Sequence, residues 1–164
     1  MRTLLQRVST AKVVVGDEVV GEIRKGILAF VGVGGGDKLE DAAWTAKKLM
    51  NLRIFEENEK PWSGSVASSG YSILLVSQFT LHASCRKTKP SFQRAMGGEE
   101  AKTLFDAVVS QCKEAGIKCE TGKFGAMMDV TLTNEGPVTF WIDSKNREDI
   151  PFGGASSSAE IDEE

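Results

Sequence analysis

The amino-acid sequence predicts an α+β domain with helices packed on a sheet, in the order ββ-(βα)2-βββ. Three observations carry this. Short runs rich in Val, Leu and Ile are separated by glycine-containing turn signals, which is the pattern of strands. Two longer segments carry apolar residues at helical spacing. Strands and helices do not alternate strictly, so a purely parallel sheet is not expected. At 164 residues the chain is long enough for one domain with a substantial core.

The elements follow in order. Leu4 to Val15 is rich in Val and Leu, Gly16-Asp17 signals a turn, and Val19 to Ile23 forms a second strand. Lys25-Gly26 turns into a third, Ile27 to Val33. After Gly34-Gly35-Gly36, Asp37 and Glu40 have the spacing of a capping box. Ala42, Ala43, Ala46, Leu49 and Met50 then predict a helix from about Lys38 to Asn51. Arg53 to Phe55 suggests a short strand, and Glu56 to Gly70 is polar and loop-like. Ser72 to Ser77 is a strongly apolar strand, expected to be buried on both faces. Thr88 to Gly98 reads as irregular. Ala101, Leu104, Phe105, Val108 and Cys112 share one face of a helix over Glu99 to Ala115, which Gly116 stops. Two alternating strands close the domain. One carries Met128, Val130 and Leu132, the other Val138, Phe140 and Ile142, with Asn134-Glu135-Gly136-Pro137 between them. The body is expected to span residues 1–145, followed over 146–164 by a Gly, Ser and acid-rich disordered tail.

Composition excludes several classes. The three cysteines have no CxxC spacing and the chain has one histidine, which argues against a disulfide framework, a zinc knuckle or a His-rich metal site. Neither a metal nor a cofactor is expected. The most apolar run, Ile27 to Val33, is far too short to cross a bilayer, and the N-terminus lacks the features of a signal peptide, so the expected location is cytoplasmic. The net charge of −3 is unevenly placed: residues 148–164 hold six acids and no base, and without them it becomes +3. A mildly basic body is compatible with RNA.

Four motifs deserve weighing. Gly34-Gly35-Gly36 lacks the spacing and the lysine of a phosphate loop, so a flexible turn is the better reading. His82 and Cys85 resemble a base and thiol, but no third group orients them, and a surface loop is expected. Ser77-Gln78-Phe79-Thr80 directly follows the buried strand, where backbone N–H groups lose their ladder partners and become available to a developing oxyanion. Gly136-Pro137 must lie at an edge, a turn or a bulge, because proline gives up a ladder donor; an X-Pro bond is also the one place where cis is accessible.

Taken together, Ser77 to Leu81 (Ser-Gln-Phe-Thr-Leu) and Asn134 to Thr139 (Asn-x-Gly-Pro-Val-Thr) resemble the two signature motifs of the D-aminoacyl-tRNA deacylases. Gln6-Arg7-Val8, Asn51 to Phe55, Lys89 to Phe92 and Gly122 to Gly125 agree in kind and order, so the similarity covers roughly residues 1–144. One departure is the basic stretch Ser84 to Lys89, which lacks the family's usual glycine after a basic residue.

The resemblance implies a three-layer α/β/β fold with mostly antiparallel, barrel-like sheets, working as a homodimer. It implies hydrolysis of the ester of D-aminoacyl-tRNA without a cofactor, with Ser77, Gln78, Phe79 and Thr80 at the catalytic site. The N–H groups around Phe79 and Thr80 would hold the oxyanion, and the substrate's own 2′-hydroxyl would assist in place of a side-chain base. Gly136 and Pro137, in a cis motif reaching into the partner subunit, would reject L-amino acids by occupying the space of their side chains, with Arg7 supporting that loop. Such a wall would admit glycyl-tRNA. Phe124 and Met128 would contact the terminal adenosine, and Arg86, Lys87, Lys89 and Arg94 the acceptor-stem phosphates. Two alternatives stand beside this: a sister deacylase that clears a mischarged L-amino acid, and a nucleic-acid-binding module without catalysis.

Overall fold

The computed structural model describes residues 1–148. Twelve elements follow in chain order: β1 (Arg2–Val15), β2 (Glu18–Ile23), β3 (Gly26–Gly32), α1 (Leu39–Asn51), β4 (Phe55–Glu57), β5 (Lys60–Gly64), α2 (Val66–Ser69), β6 (Ser72–Ser77), a 3₁₀ turn (Phe79–His82), α3 (Gly98–Glu114), β7 (Lys118–Thr121) and β8 (Asp129–Asp143).

The main sheet runs β2-β1-β3-β6-β7, with β8 on the other edge of β1. Four pairings (β1 with β2, β3 and β8, and β4 with β5) are antiparallel, while β3-β6 and β6-β7 are parallel. β6 therefore lies between two parallel neighbours, and Ile73, Leu74, Leu75 and Val76 are all buried, as the apolar run predicts. Strand alternation divides these side chains between two cores. Ile27, Ala29, Val31, Ile73 and Leu75 meet Ala46, Leu49, Phe105 and Val108 of α1 and α3. Leu28, Leu74 and Val76 face the opposite way and pack with Val8, Val13 and Ile23 inside a nearly closed barrel. The barrel closes where β2 approaches the end of β7: a side-chain carbon on Gly21 would fall 2.3 Å from the Thr121 carbonyl. The layered, barrel-like α+β fold expected from the sequence is the fold observed.

Four local expectations are corrected. Helix α1 begins one residue later than the Asp37–Glu40 spacing suggests: Asp41 is the residue whose carboxylate accepts from the Lys38 N–H, at 2.8 Å. Asp37 is drawn off to the Met1 ammonium at 2.7 Å and the Gly34 N–H at 2.6 Å. The short strand expected at Arg53–Phe55 starts at Phe55. The polar segment that follows is a β4–β5 hairpin and the short helix α2, whose Ser65 cap accepts from the Ser68 N–H at 3.1 Å. The two closing strands are one. Val8 pairs with Asn134 and Gln6 with Thr139, so Glu135 to Val138 bulge out opposite Arg7 and the chain returns to the same partner strand. Turn-forming residues here insert into a strand without reversing it.

Beyond β8, Ser144 bonds to both the Met1 ammonium (2.6 Å) and Asp41 (2.7 Å), Lys145 pairs with Asp41 at 2.8 Å, and the Arg147 guanidinium lies 5.6 Å from the Trp44 ring centre. Residues 149–164, most of the expected tail, lie outside the described residues. Among the described residues no helix is long and apolar enough to cross a membrane.

Candidate active site

The site forms where the parallel strands run out. β7 pairs only as far as Thr121 opposite Leu75, so Val76 and Ser77 extend past it. The chain leaving β7 then folds over the exposed end of β6. The result is a cleft of about 420 Å³ walled on one side by Ser77, Gln78 and Phe79 and on the other by Phe124 and Met128, with Val31 among the residues at its base. Phe124 is supported from behind by Phe105 of α3, with ring centres 5.9 Å apart. Among the residues lining this cleft none is titratable.

The 3₁₀ turn is held against β3 by close backbone approach. The Gln78 N–H donates to the Val31 carbonyl at 2.9 Å, and a side-chain carbon on Gly32 would fall 2.7 Å from the Gln78 carbonyl. Phe79 and Thr80 occupy the first turn, where N–H groups have no acceptor within the helix. These donors stand at the cleft edge beside Phe79, which is 54% exposed. Thr80 is exposed and outside the cleft lining; its hydroxyl accepts from the Gln78 side-chain amide.

His82 corrects the expectation of a surface loop. It is buried against the glycine segment, its Nε2 3.0 Å from the Gly32 carbonyl, and a side-chain carbon on Gly34 would fall 2.6 Å from its ring. Burial pushes its pKa down and the Gly32 carbonyl only partly opposes this, which favours the neutral ring. Its role is to pack the 3₁₀ turn against Gly34. Cys85, by contrast, is exposed. Cys112 is buried as expected, and so is Cys119; a hydrogen bond with the Cys119 sulfur, together with burial, pushes the Cys112 thiol up.

The basic residues flank the cleft. Reciprocal Ser84–Ser91 backbone bonds of 2.8 and 3.0 Å close a loop that carries Arg86, Lys87 and Lys89, all exposed. Phe92 then contacts Phe79 edge-on, at 5.1 Å between ring centres, and the Arg94 carbonyl accepts from the Gly35 N–H at 2.8 Å. The loop is thereby fastened beside the 3₁₀ turn.

Gly136 and Pro137 are exposed and absent from the cleft lining of their own chain. The bond between them is cis, and Gly136 has φ +127°. Arg7 donates from Nε to the Glu135 carbonyl at 3.2 Å and from Nη1 to the Ile54 carbonyl at 2.7 Å. Sequence reasoning missed Asn134 as the clasp of this loop: its Oδ1 accepts from the Val138 N–H at 3.1 Å and its amide donates to Thr139 at the same distance. Asn at the head of a four-residue excursion was the available signal, since its side chain readily closes turns. No cluster of three or more His, Cys, Asp or Glu side chains suited to a metal occurs among the described residues.

A barrel-like α+β body with a cleft of apolar side chains and free backbone donors defines a protein equipped to bind a ligand and polarise a carbonyl without side-chain acid–base chemistry. The comparisons make that class specific. Residues 4–143 match the family model described as D-Tyr-tRNA(Tyr) deacylase, and the chain belongs to that family. It is 49% identical over 146 residues to a D-aminoacyl-tRNA deacylase of Clostridium perfringens, covering 88% of this chain and 98% of the relative. It is 48% identical over 145 residues to one of Thermotoga petrophila, covering 88% and 97%. A solved structure described as c-Myc DNA Unwinding Element Binding Protein matches with a TM-score of 0.82 and 37% identity over 87% of this chain and 98% of that one. A second, described as a probable eukaryotic D-amino acid tRNA deacylase, shares the fold, with a TM-score of 0.76 at 18% identity over 86% and 97%.

Proposed function

We propose that the chain hydrolyses the ester between a D-amino acid and the 3′-terminal ribose of tRNA, consuming water and releasing the free D-amino acid and tRNA. The observation that carries this reading is the cleft between Ser77–Phe79 and Phe124–Met128, with backbone donors at its edge and no titratable group in its lining. The Phe79 and Thr80 N–H groups receive the oxyanion of the tetrahedral intermediate. Such donors contribute about 3 kcal/mol each where measured. An aminoacyl ester is already activated, and the substrate's 2′-hydroxyl serves where the protein supplies no base. The terminal adenine stacks against Phe124 and Met128, and the acceptor-stem phosphates meet Arg86, Lys87, Lys89 and Arg94.

Configuration is read by Gly136 and Pro137 of a second copy, held by Arg7 of that copy. The placement of these two residues away from their own chain's cleft supports a homodimeric site. Backbone atoms facing Cα exclude an L side chain and leave a D side chain unread. Glycine carries hydrogen in both positions and passes.

The test is deacylation of D-tyrosyl-, L-tyrosyl-, glycyl- and L-alanyl-tRNA at equal enzyme concentration. D-Tyrosyl- and glycyl-tRNA are expected to be cleaved while both L-esters survive. Preferential cleavage of an L-ester would favour the sister-deacylase reading. Nucleic-acid binding with no deacylation at all would favour the binding-module reading, which the exposed basic loop also suits.

A further inference from the structure

The β4–β5 hairpin has an unequal register. Phe55 pairs with Gly64 and Glu57 with Lys60, so Glu56 alone faces Pro61, Trp62 and Ser63. The surplus residues form a bulge, a device that re-aims a side chain. Ser63 pins it: the Oγ accepts from the Glu57 N–H at 3.1 Å and lies within donating reach of the Glu57 and Lys60 carbonyls, at 3.0 and 2.6 Å. Trp62 has φ +55°, in the left-handed region that bulky residues seldom occupy. The strained conformation leaves the residue 55% exposed. What it achieves is placement. The Arg7 guanidinium carbon lies 5.9 Å from the Trp62 ring centre, and Phe140 meets the same ring edge-on at 6.2 Å.

We propose that Trp62 is a positioning residue for the Gly136–Pro137 loop, acting through Arg7. The proposal rests on the reading of that loop as the discriminator of amino-acid configuration. A guanidinium directs its donors within a plane, so a contact that holds the group in place holds the directions of all of them. Here two of those donors hold the Glu135 carbonyl, at the entrance to the loop, and the Ile54 carbonyl, just ahead of the hairpin. Hairpin, arginine and loop thus form one mechanical unit. An exposed tryptophan serving only as a contact for another molecule would leave Arg7 indifferent to its removal.

The experiment compares wild type with Trp62→Ala and Trp62→Phe in two measurements. The first is the ratio of D-tyrosyl- to L-tyrosyl-tRNA hydrolysis. The second, independent of activity, is hydrogen exchange of the Arg7 Nε–H by NMR. Trp62→Ala is expected to lower the D-over-L ratio by about three- to tenfold, in line with a cation–π contact that is partly shielded. It should also speed Arg7 Nε–H exchange, and Trp62→Phe should restore most of both. An unchanged ratio overturns the proposal; so does a reduced ratio with Arg7 exchange unaltered. A wild type with no D-over-L preference would instead sink the functional reading, and the exchange measurement would still report on the Trp62–Arg7 link.

Discussion

At the scale of single residues, the segment from Ser77 to His82 separates side-chain chemistry from backbone chemistry. Thr80 has the only hydroxyl in Phe79–His82, yet it lies outside the cleft lining and takes a hydrogen bond from Gln78. His82, the chain's one histidine, is occupied with Gly32. No base is therefore in place to activate the threonine. Thr80→Ala is expected to keep kcat/KM for D-tyrosyl-tRNA within about tenfold of wild type. A loss of several thousandfold in a variant with unchanged circular dichroism would show that the hydroxyl takes part in the chemistry.

At the scale of elements, Asp41 joins three pieces of chain. It stands in the first turn of α1 and accepts from Ser144 and Lys145, which follow β8, and from the Lys38 N–H; Ser144 in turn receives the Met1 ammonium. Burial pushes its pKa up, but the hydrogen bonds from Lys145, Ser144 and Lys38 outweigh this and hold it at about 2, against 3.8 unperturbed. A folded value below the unfolded one means that the carboxylate stabilises the protein above pH 4 and ceases to do so as pH falls from 4 towards 2. The shift corresponds to about 2 kcal/mol at neutral pH. Asp41→Asn should accordingly lower the melting temperature by several degrees at pH 7, with the gap to wild type narrowing as pH falls from 4 towards 2. A gap of constant size across that range would assign the loss to packing.

The same scale shows what the sequence could reveal. β6 and the two long helices were legible because burial imposes a pattern: a continuous apolar run in one case, helical recurrence in the others. The β4–β5 hairpin was not. Lys60, Pro61 and Trp62 are exposed, so no core selects an alternation, and the bulge at Trp62 would break one. β8 was split in two because Asn134 to Pro137 are turn formers, and only the pairing of both halves with β1 shows that they insert without reversing the chain. In the candidate site, Ser77 to Thr80 and the Gly136-Pro137 pair stood out locally. The Trp62–Arg7–Glu135 relay did not, because its members are far apart in the chain and meet only in the fold.

Across the whole molecule, the cleft lies at the open end of β6 while the Gly136–Pro137 loop bulges from β8 on the far edge of β1. If loop and cleft cooperate between copies, they can be supplied by different polypeptides. Arg7→Ala is expected to free the loop and admit L-tyrosyl-tRNA; Phe124→Ala damages the cleft and leaves the loop intact. Reannealing the two variants in equal amounts should lower L-tyrosyl-tRNA hydrolysis per Arg7→Ala subunit by about half, because half of those clefts then face an intact loop in a random two-fold mixture. Hydrolysis unaffected by mixing would mean that each chain uses its own loop.

The pairing of β1 with β8 also decides how the molecule comes apart under load. Arg2 faces Asp143, so the two ends of this pair lie side by side and a pull on them peels the strands one residue pair at a time instead of shearing them together. Traction from the C-terminal side, such as an unfolding motor exerts, first breaks the Ser144 and Lys145 contacts with Met1 and Asp41, then removes Asp143 to Thr139 and reaches the loop that Arg7 secures. β6 and its 3₁₀ turn, on the other side of β3, are still standing at that moment. On the functional reading proposed above, a molecule being dismantled from that end loses its selectivity before its capacity to cleave.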